Sequence, residues 1–188
     1  MQRIVARNLG LASQPRTATA TAELGKVLPM TMESQEQTNW CWAAVGTSVG
    51  LFFKTGQWTQ CATAGGCLEN QPDCCGDPTP CNVYGYLNKA LDYTKSLGSY
   101  GKGTASASEI RTQIDLGHPV CALVNWEAGG AHFMAITGYS YPQSDPSQMT
   151  ITIEDSIYGP SVHELADFPK DYQSGGTWTY VYLTAPKS

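Results

Sequence analysis

Apolar and polar positions repeat with different periods in the two halves of the chain. From Cys41 to about Phe53 apolar residues fall on nearly every side (Trp42, Val45, Val49, Leu51, Phe52, Phe53), which predicts a central, buried helix. From Asn82 to about Leu97 the apolar residues Val83, Leu87, Ala90 and Leu91 share one face, and Gly98 stands as a terminator. That pattern predicts an amphipathic helix. A third helix is signalled by a Ser106/Glu109 capping box and by Ile110 and Ile114 one turn apart, with Gly117 and Pro119 as stops. Beyond Pro119 the pattern changes to alternation and short apolar runs, predicting strands at Val120–Trp126, His132–Tyr141, Met149–Glu154 and Thr177–Leu183. Helices first and an antiparallel sheet afterwards make an α+β fold.

The candidate chemistry sits where the first helix begins. In Ser34-Gln-Glu-Gln-Thr-Asn-Trp-Cys41-Trp-Ala-Ala a lone cysteine opens the apolar helix, with Gln35 six residues before it. A thiol attacks as its thiolate, and the free N–H groups and positive dipole end of a helix N-terminus favour that anion, as does a nearby imidazolium. Gln35 can then turn back over the same turn and donate to a carbonyl oxygen as it becomes tetrahedral; Gln37 is its nearby rival. His132 follows Gly129-Gly130-Ala131 at the start of a strand, placed to face a cleft while the strand anchors it. Asp155 ends an alternating run and can accept a hydrogen bond from the imidazole. Its competitors are Glu154, which alternation sends to the opposite face, and Asn125 on the preceding strand. His118, beside Pro119, and His163, in a polar segment, read as surface residues. Trp42, Trp126 and Gly130 are the candidates for lining a substrate groove.

Taken together these residues resemble the papain-like cysteine proteases, and more closely the branch that includes avirulence-effector proteases delivered by plant-pathogenic bacteria. The resemblance rests on the order Gln35, Trp40-Cys41-Trp42-Ala43-Ala44, Gly-Ala-His132-Phe and Glu-Asp155-Ser-Ile-Tyr-Gly-Pro, and covers roughly residues 30 to 185. The chain departs from plant papains in having an aspartate as third residue within a shorter sequence. The resemblance implies a papain-like fold, with the cleft between the Cys41 helix and the sheet bearing His132. It also implies an endopeptidase using a Cys41–His132–Asp155 triad, with Gln35 and the Cys41 N–H as oxyanion donors and neither metal nor organic cofactor. Substrates would be proteins of a host or competitor cell. An immunity or inhibitor protein would be a plausible partner.

Composition narrows the setting. The 188 residues carry 11 basic and 16 acidic side chains, a formal net charge of −5, so no basic stripe is at hand to neutralise nucleic-acid phosphates. No run approaches the ~20 apolar residues of a membrane span. A chain of this length can bury about 70% of its unfolded surface in one core, which suits a single domain at residues 29–188, expected to be a monomer. Residues 1–28 lack the apolar stretch of a secretory signal peptide, and the segment Leu11–Ala22 is small, polar and unpatterned. They read as a flexible leader or, by the resemblance, a self-cleaved propeptide. Export would then use a specialised secretion route, or a signal outside this sequence.

Seven cysteines make the second strong signal. Cys61, Cys67, Cys74, Cys75 and Cys81 crowd one Gly- and Pro-rich stretch, which points to disulfide staples and an oxidising destination. An odd five cannot all pair with one another, so one stays free or Cys121 joins them. The modal expectation is two disulfides within the cluster, with adjacent Cys74 and Cys75 taking different partners. A zinc site competes, but the paired short cysteine spacings and a neighbouring histidine are missing. Three other functions share these residues. A peptidoglycan amidase or peptidase would digest cell wall, and a cysteine-dependent acyltransferase would incorporate amines. A non-catalytic disulfide-rich binding module would leave Cys41 inert.

Overall fold

The computed structural model describes residues 22–187. Its elements, in chain order, are β1 (Glu23–Val27), α1 (Cys41–Phe53), α2 (Gln60–Cys67), α3 (Leu87–Tyr93), β2 (Leu97–Lys102), α4 (Ala107–Asp115), β3 (Val120–Trp126), β4 (Ala131–Pro142), β5 (Thr150–Glu154), β6 (Ser161–Glu164) and β7 (Gly176–Thr184). The strands form one antiparallel sheet in the order β2-β7-β3-β4-β5-β6, with β1 on β4. Helices and sheet together give the expected α+β, papain-like architecture.

Strand alternation explains why the sheet needs cover on both faces. In β3 and β4, Cys121, Phe133 and Ala135 join α1 and α3 in one core, which also holds Trp40, Trp42, Leu87 and Leu91. The intervening Val120, Ala122, Val124, Met134 and Ile136 join Ile110 and Ile114 of α4 in a second core, with Ile151 and Ile153. The capping box of α4 forms as read from the sequence: Ser106 and Glu109 bond reciprocally.

Several elements depart from the sequence reading. The amphipathic helix spans only Leu87–Tyr93, because residues 81–83 hold their backbone carbonyls out to tryptophans flanking Cys41. Leu97–Lys102, with two glycines and a largely exposed face, forms the edge strand β2 rather than the end of that helix. The cysteine-rich stretch contains α2, started by Thr59, whose hydroxyl accepts from the Ala62 N–H. Strand β1 lies inside the segment read as a leader: Glu23–Val27 pairs with Gly138–Pro142 of β4, end to end with β3, and Leu28 is buried. The boundary at residue 28 thus separates β1 from the domain whose sheet it joins. The leader or propeptide-like reading of the earlier residues lies outside the described ones.

Cys61 pairs with Cys75 and Cys74 with Cys81. Cys67, a disulfide candidate, is corrected: it stays a free thiol at the end of α2, half-buried, its pKa pushed up to about 11, chiefly by burial. Cys121 is free and fully buried on β3. The cluster that a zinc ion would need loses four of its thiols to these bonds. No helix among the described residues is long and apolar enough to cross a membrane.

Candidate active site

Cys41 is the first residue of α1, and what holds it there lies in the cysteine-rich region. Trp40, the N-cap, is fully buried and its indole N–H donates to the Cys81 carbonyl at 2.7 Å. Asn39 makes two 2.9 Å hydrogen bonds with Asn82, through its backbone N–H and its side-chain amide. The Trp42 indole N–H donates to the Val83 carbonyl at 3.1 Å, and Gly85 passes flat over that ring, where a Cβ would come within 2.2 Å of it. Both neighbours of Cys41 are therefore tied to one strip, residues 81–83, whose Cys81 is stapled to Cys74. No side chain caps the helix, so its first-turn N–H groups remain available around the sulfur.

His132 and Asp155 meet from two neighbouring strands. The turn between β3 and β4 needs Gly129 and Gly130, both at positive φ, and sets His132 at the head of β4. Its Nε2 lies 2.9 Å from each Asp155 carboxylate oxygen, leaving Nδ1 free, and Cys41 is close enough to favour the charged ring. Both residues are about 3% exposed, so the pair sits out of water. Burial opposes the imidazolium, but the hydrogen bonds and charges of Asp155 and Cys41 outweigh it and raise the His132 pKa to about 9. Asp155 is in turn held as the carboxylate. Burial disfavours its charge, yet His132 and the N–H groups of Ile157 and Tyr158, at 2.7 and 3.0 Å, draw its pKa below the usual value.

Tyr172 completes this arrangement and was not singled out in the sequence. Its hydroxyl donates to Asp155 Oδ2 at 2.8 Å from a fully buried ring, and burial together with the Asp155 charge pushes its own pKa upward. The signal was faint, one tyrosine among ten. Trp126, expected on the groove, lies instead beside the imidazole, its ring roughly parallel to His132 at 6.1 Å and also packed on Tyr172. It shields the His132–Asp155 bond from solvent.

Gln35 is brought to the same corner. Its N–H donates to the Ser156 carbonyl and its Oε1 accepts from the Ser156 hydroxyl, both at 3.1 Å, linking it to the residue after Asp155. Its Nε2 donates to the carbonyls of Gln37 and Thr38, 2.9 Å each. Donation to an oxyanion would exchange one of those carbonyls for the substrate oxygen. The loop is fixed on both sides of Gln35 by the buried Gln60, whose Oε1 accepts from the Glu36 N–H at 3.0 Å and whose Nε2 donates to the Ser34 carbonyl at 2.9 Å. The competing residues are engaged with other partners, Asn125 while lining the groove that opens at Cys41. The Glu154 carboxylate accepts from the Met32 N–H, and Asn125 accepts from the Thr179 hydroxyl. His118 packs edge-on against Phe53, at the far end of α1. His163 is less superficial than read, bonded to Asp171 and Ser161 with its ring 4.9 Å from Tyr172.

A groove of about 760 Å³ opens at Cys41, lined by Trp42 and Gly130 as well as aromatic rings from three elements. Among the described residues no three His, Cys, Asp or Glu side chains converge as metal ligands. The arrangement can form a buried imidazolium beside a sulfur, with helix N–H groups free to meet negative charge at the groove's end.

A family model described as the Peptidase_C39 like family matches residues 27–181, most of the chain. No curated protein matches it. The family match supports a papain-like cysteine peptidase kind and does not reach the avirulence-effector branch.

Proposed function

Because the chain belongs to the Peptidase_C39 like family, we propose that it is a cysteine endopeptidase using Cys41, His132 and Asp155 as its triad. The observation that carries this reading is the buried His132–Asp155 pair beside a cysteine at an uncapped helix N-terminus, at the mouth of a groove. In the resting pair His132 holds the proton. The thiolate attacks the scissile carbonyl carbon, and the negative oxygen is met by the Cys41 N–H and by Gln35 once its amide turns from its local carbonyls. As the C–N bond breaks, His132 gives its proton to the leaving amine. Water then attacks the thioester, His132 takes the water's proton, and the thiolate departs with the acid product. Asp155 stays ionised throughout and keeps the imidazole aligned.

The two disulfides suit an oxidising destination, and on that basis we propose that the enzyme acts outside the producing cell, on proteins of a host or competitor. Delivery by a specialised secretion route and control by a cognate inhibitor belong to the same proposal. The first experiment is intact mass after an epoxide cysteine-protease probe near pH 6, beside Cys41→Ala. One adduct mapped to Cys41, and turnover lost in a folded Cys41→Ala protein, are expected; a folded Cys41→Ala protein that still cleaves would refute the mechanism.

A further inference from the structure

The groove at Cys41 has an unusual lining. Tyr84 and Tyr86 come from the segment before α3, Tyr100 from β2, Phe133 from β4, and Tyr180 and Tyr182 from β7. The rings are already ordered against one another: Tyr100 stacks on Tyr182 at 5.7 Å and 9° between planes, and Tyr182 lies 6.4 Å from Tyr180. Tyr84, Tyr86 and Tyr100 are each more than half exposed, so these faces are open to a ligand.

The charge is one-sided as well. Although the protein carries an excess of acidic residues, no carboxylate lines this groove, and Lys89 is its single charged side chain. Lys89 pairs with no carboxylate among the described residues. Asp92, on the next turn of α3, is taken by Lys187 at 2.8 Å. The Lys89 ammonium instead stands 5.5 Å from the centre of the Tyr86 ring, at the rim.

Resting on the peptidase reading above, we propose that the enzyme selects protein segments in which an aromatic side chain neighbours a carboxylate. The aromatic ring would stack in the Tyr100–Tyr180–Tyr182 corner, and the carboxylate would face Lys89. Stacking supplies the larger share of binding, and the charge sets the choice between otherwise similar segments. An exposed pair of this kind changes kcat/KM by up to about fivefold, and the effect fades at high salt.

The test is digestion of a proteome-derived peptide library by the full chain, with cut sites read by mass spectrometry and the Cys41→Ala protein as blank. Lys89→Glu is compared with Lys54→Glu, which makes the same change of net charge at the C-terminal end of α1, roughly 20 Å along the helix from Cys41. The expected result is enrichment of Asp or Glu beside an aromatic residue for the wild type and Lys54→Glu, replaced in Lys89→Glu by Lys or Arg beside the same aromatic. Cleavage without that enrichment, or a preference unchanged in Lys89→Glu, overturns this inference and leaves the peptidase reading standing. No cleavage above the Cys41→Ala blank overturns both.

Discussion

Replacing Asp155 by asparagine keeps the size of the side chain and its acceptor for the Ile157 and Tyr158 N–H groups, but removes the charge facing His132. The wild-type imidazole holds its proton to about pH 9. Its ordinary value is 6.5. The difference corresponds to roughly 3 kcal/mol of preference for the charged ring, a factor of about 300 in the protonation equilibrium. Burial opposes that charge and remains in the variant, where only the smaller contribution of Cys41 still favours the charged ring, so the midpoint should fall well below 9, towards the ordinary value. At pH 8 the imidazolium fraction would drop from about 90% towards the roughly 3% of an ordinary imidazole. The sign also fixes stability. A raised histidine stabilises the fold fully below pH 6.5 and loses that contribution as pH rises through 9, so the wild type should lose stability over this window and Asp155→Asn should not. The chain has three histidines, which makes the assay direct: carbon-13 histidine labelling should give three imidazole resonances titratable from pH 5 to 10. The one missing in His132→Gln should titrate near pH 9 in the wild type and well below that, towards 6.5, in Asp155→Asn. A resonance that stays near 9 in the variant, or one already at 6.5 in the wild type, would refute the electrostatic argument.

Tyr172→Phe removes one hydroxyl donor from Asp155 and leaves its two backbone donors and His132, so Asp155 should stay ionised and the His132 midpoint should not fall below that of the wild type, with a stability loss of about 1.5–3 kcal/mol by thermal melting. Iodoacetamide near pH 6.5 should add one group per native chain, at Cys41; burial holds the Cys67 thiol at about 11 and pushes Cys121 upward as well, and intact mass with peptide mapping will show any second adduct. Replacing Cys61 and Cys75 by serine opens a loop of 14 residues, worth about 3 kcal/mol, and should lower Tm by roughly 10 °C in a calorimetric scan.

What the sequence made legible was what repeats. Apolar runs located β3 and nearly all of β4, because a strand packed between two cores must be apolar at nearly every position, and alternation located β5 and nearly all of β7. The bounds of α1 were legible because a helix surrounded by protein is apolar on every side. Edge elements carried no such pattern. β2 reads Leu-Gly-Ser-Tyr-Gly-Lys, mostly exposed, and α2 consists of small residues with two glycines, so neither has a stripe to betray it. The alternation that made Glu154 an unlikely partner for His132 proved sufficient to separate it from Asp155, since the two carboxylates bond on different sides of the strand end.

The supports of the site were illegible for a different reason: they act across long stretches of sequence through backbone atoms, which leave no residue-type signature. Trp40 and Trp42 stood out as flanking aromatics, yet their partners are the carbonyls of Cys81 and Val83, and any residue supplies a carbonyl. Gln60 looks like an ordinary loop amide until its two bonds around Gln35 are seen. Both supports belong to the cysteine-rich region, next to Cys61 in one case and at Cys81 in the other. The disulfides therefore do more than compensate for a stretch with little apolar content. They fix the two places, the start of α2 and the strip 81–83, from which the candidate oxyanion loop and Cys41 are held. Opening Cys74–Cys81 should accordingly loosen the residues flanking Cys41 first, while the sheet that carries His132 and Asp155 keeps its own two cores.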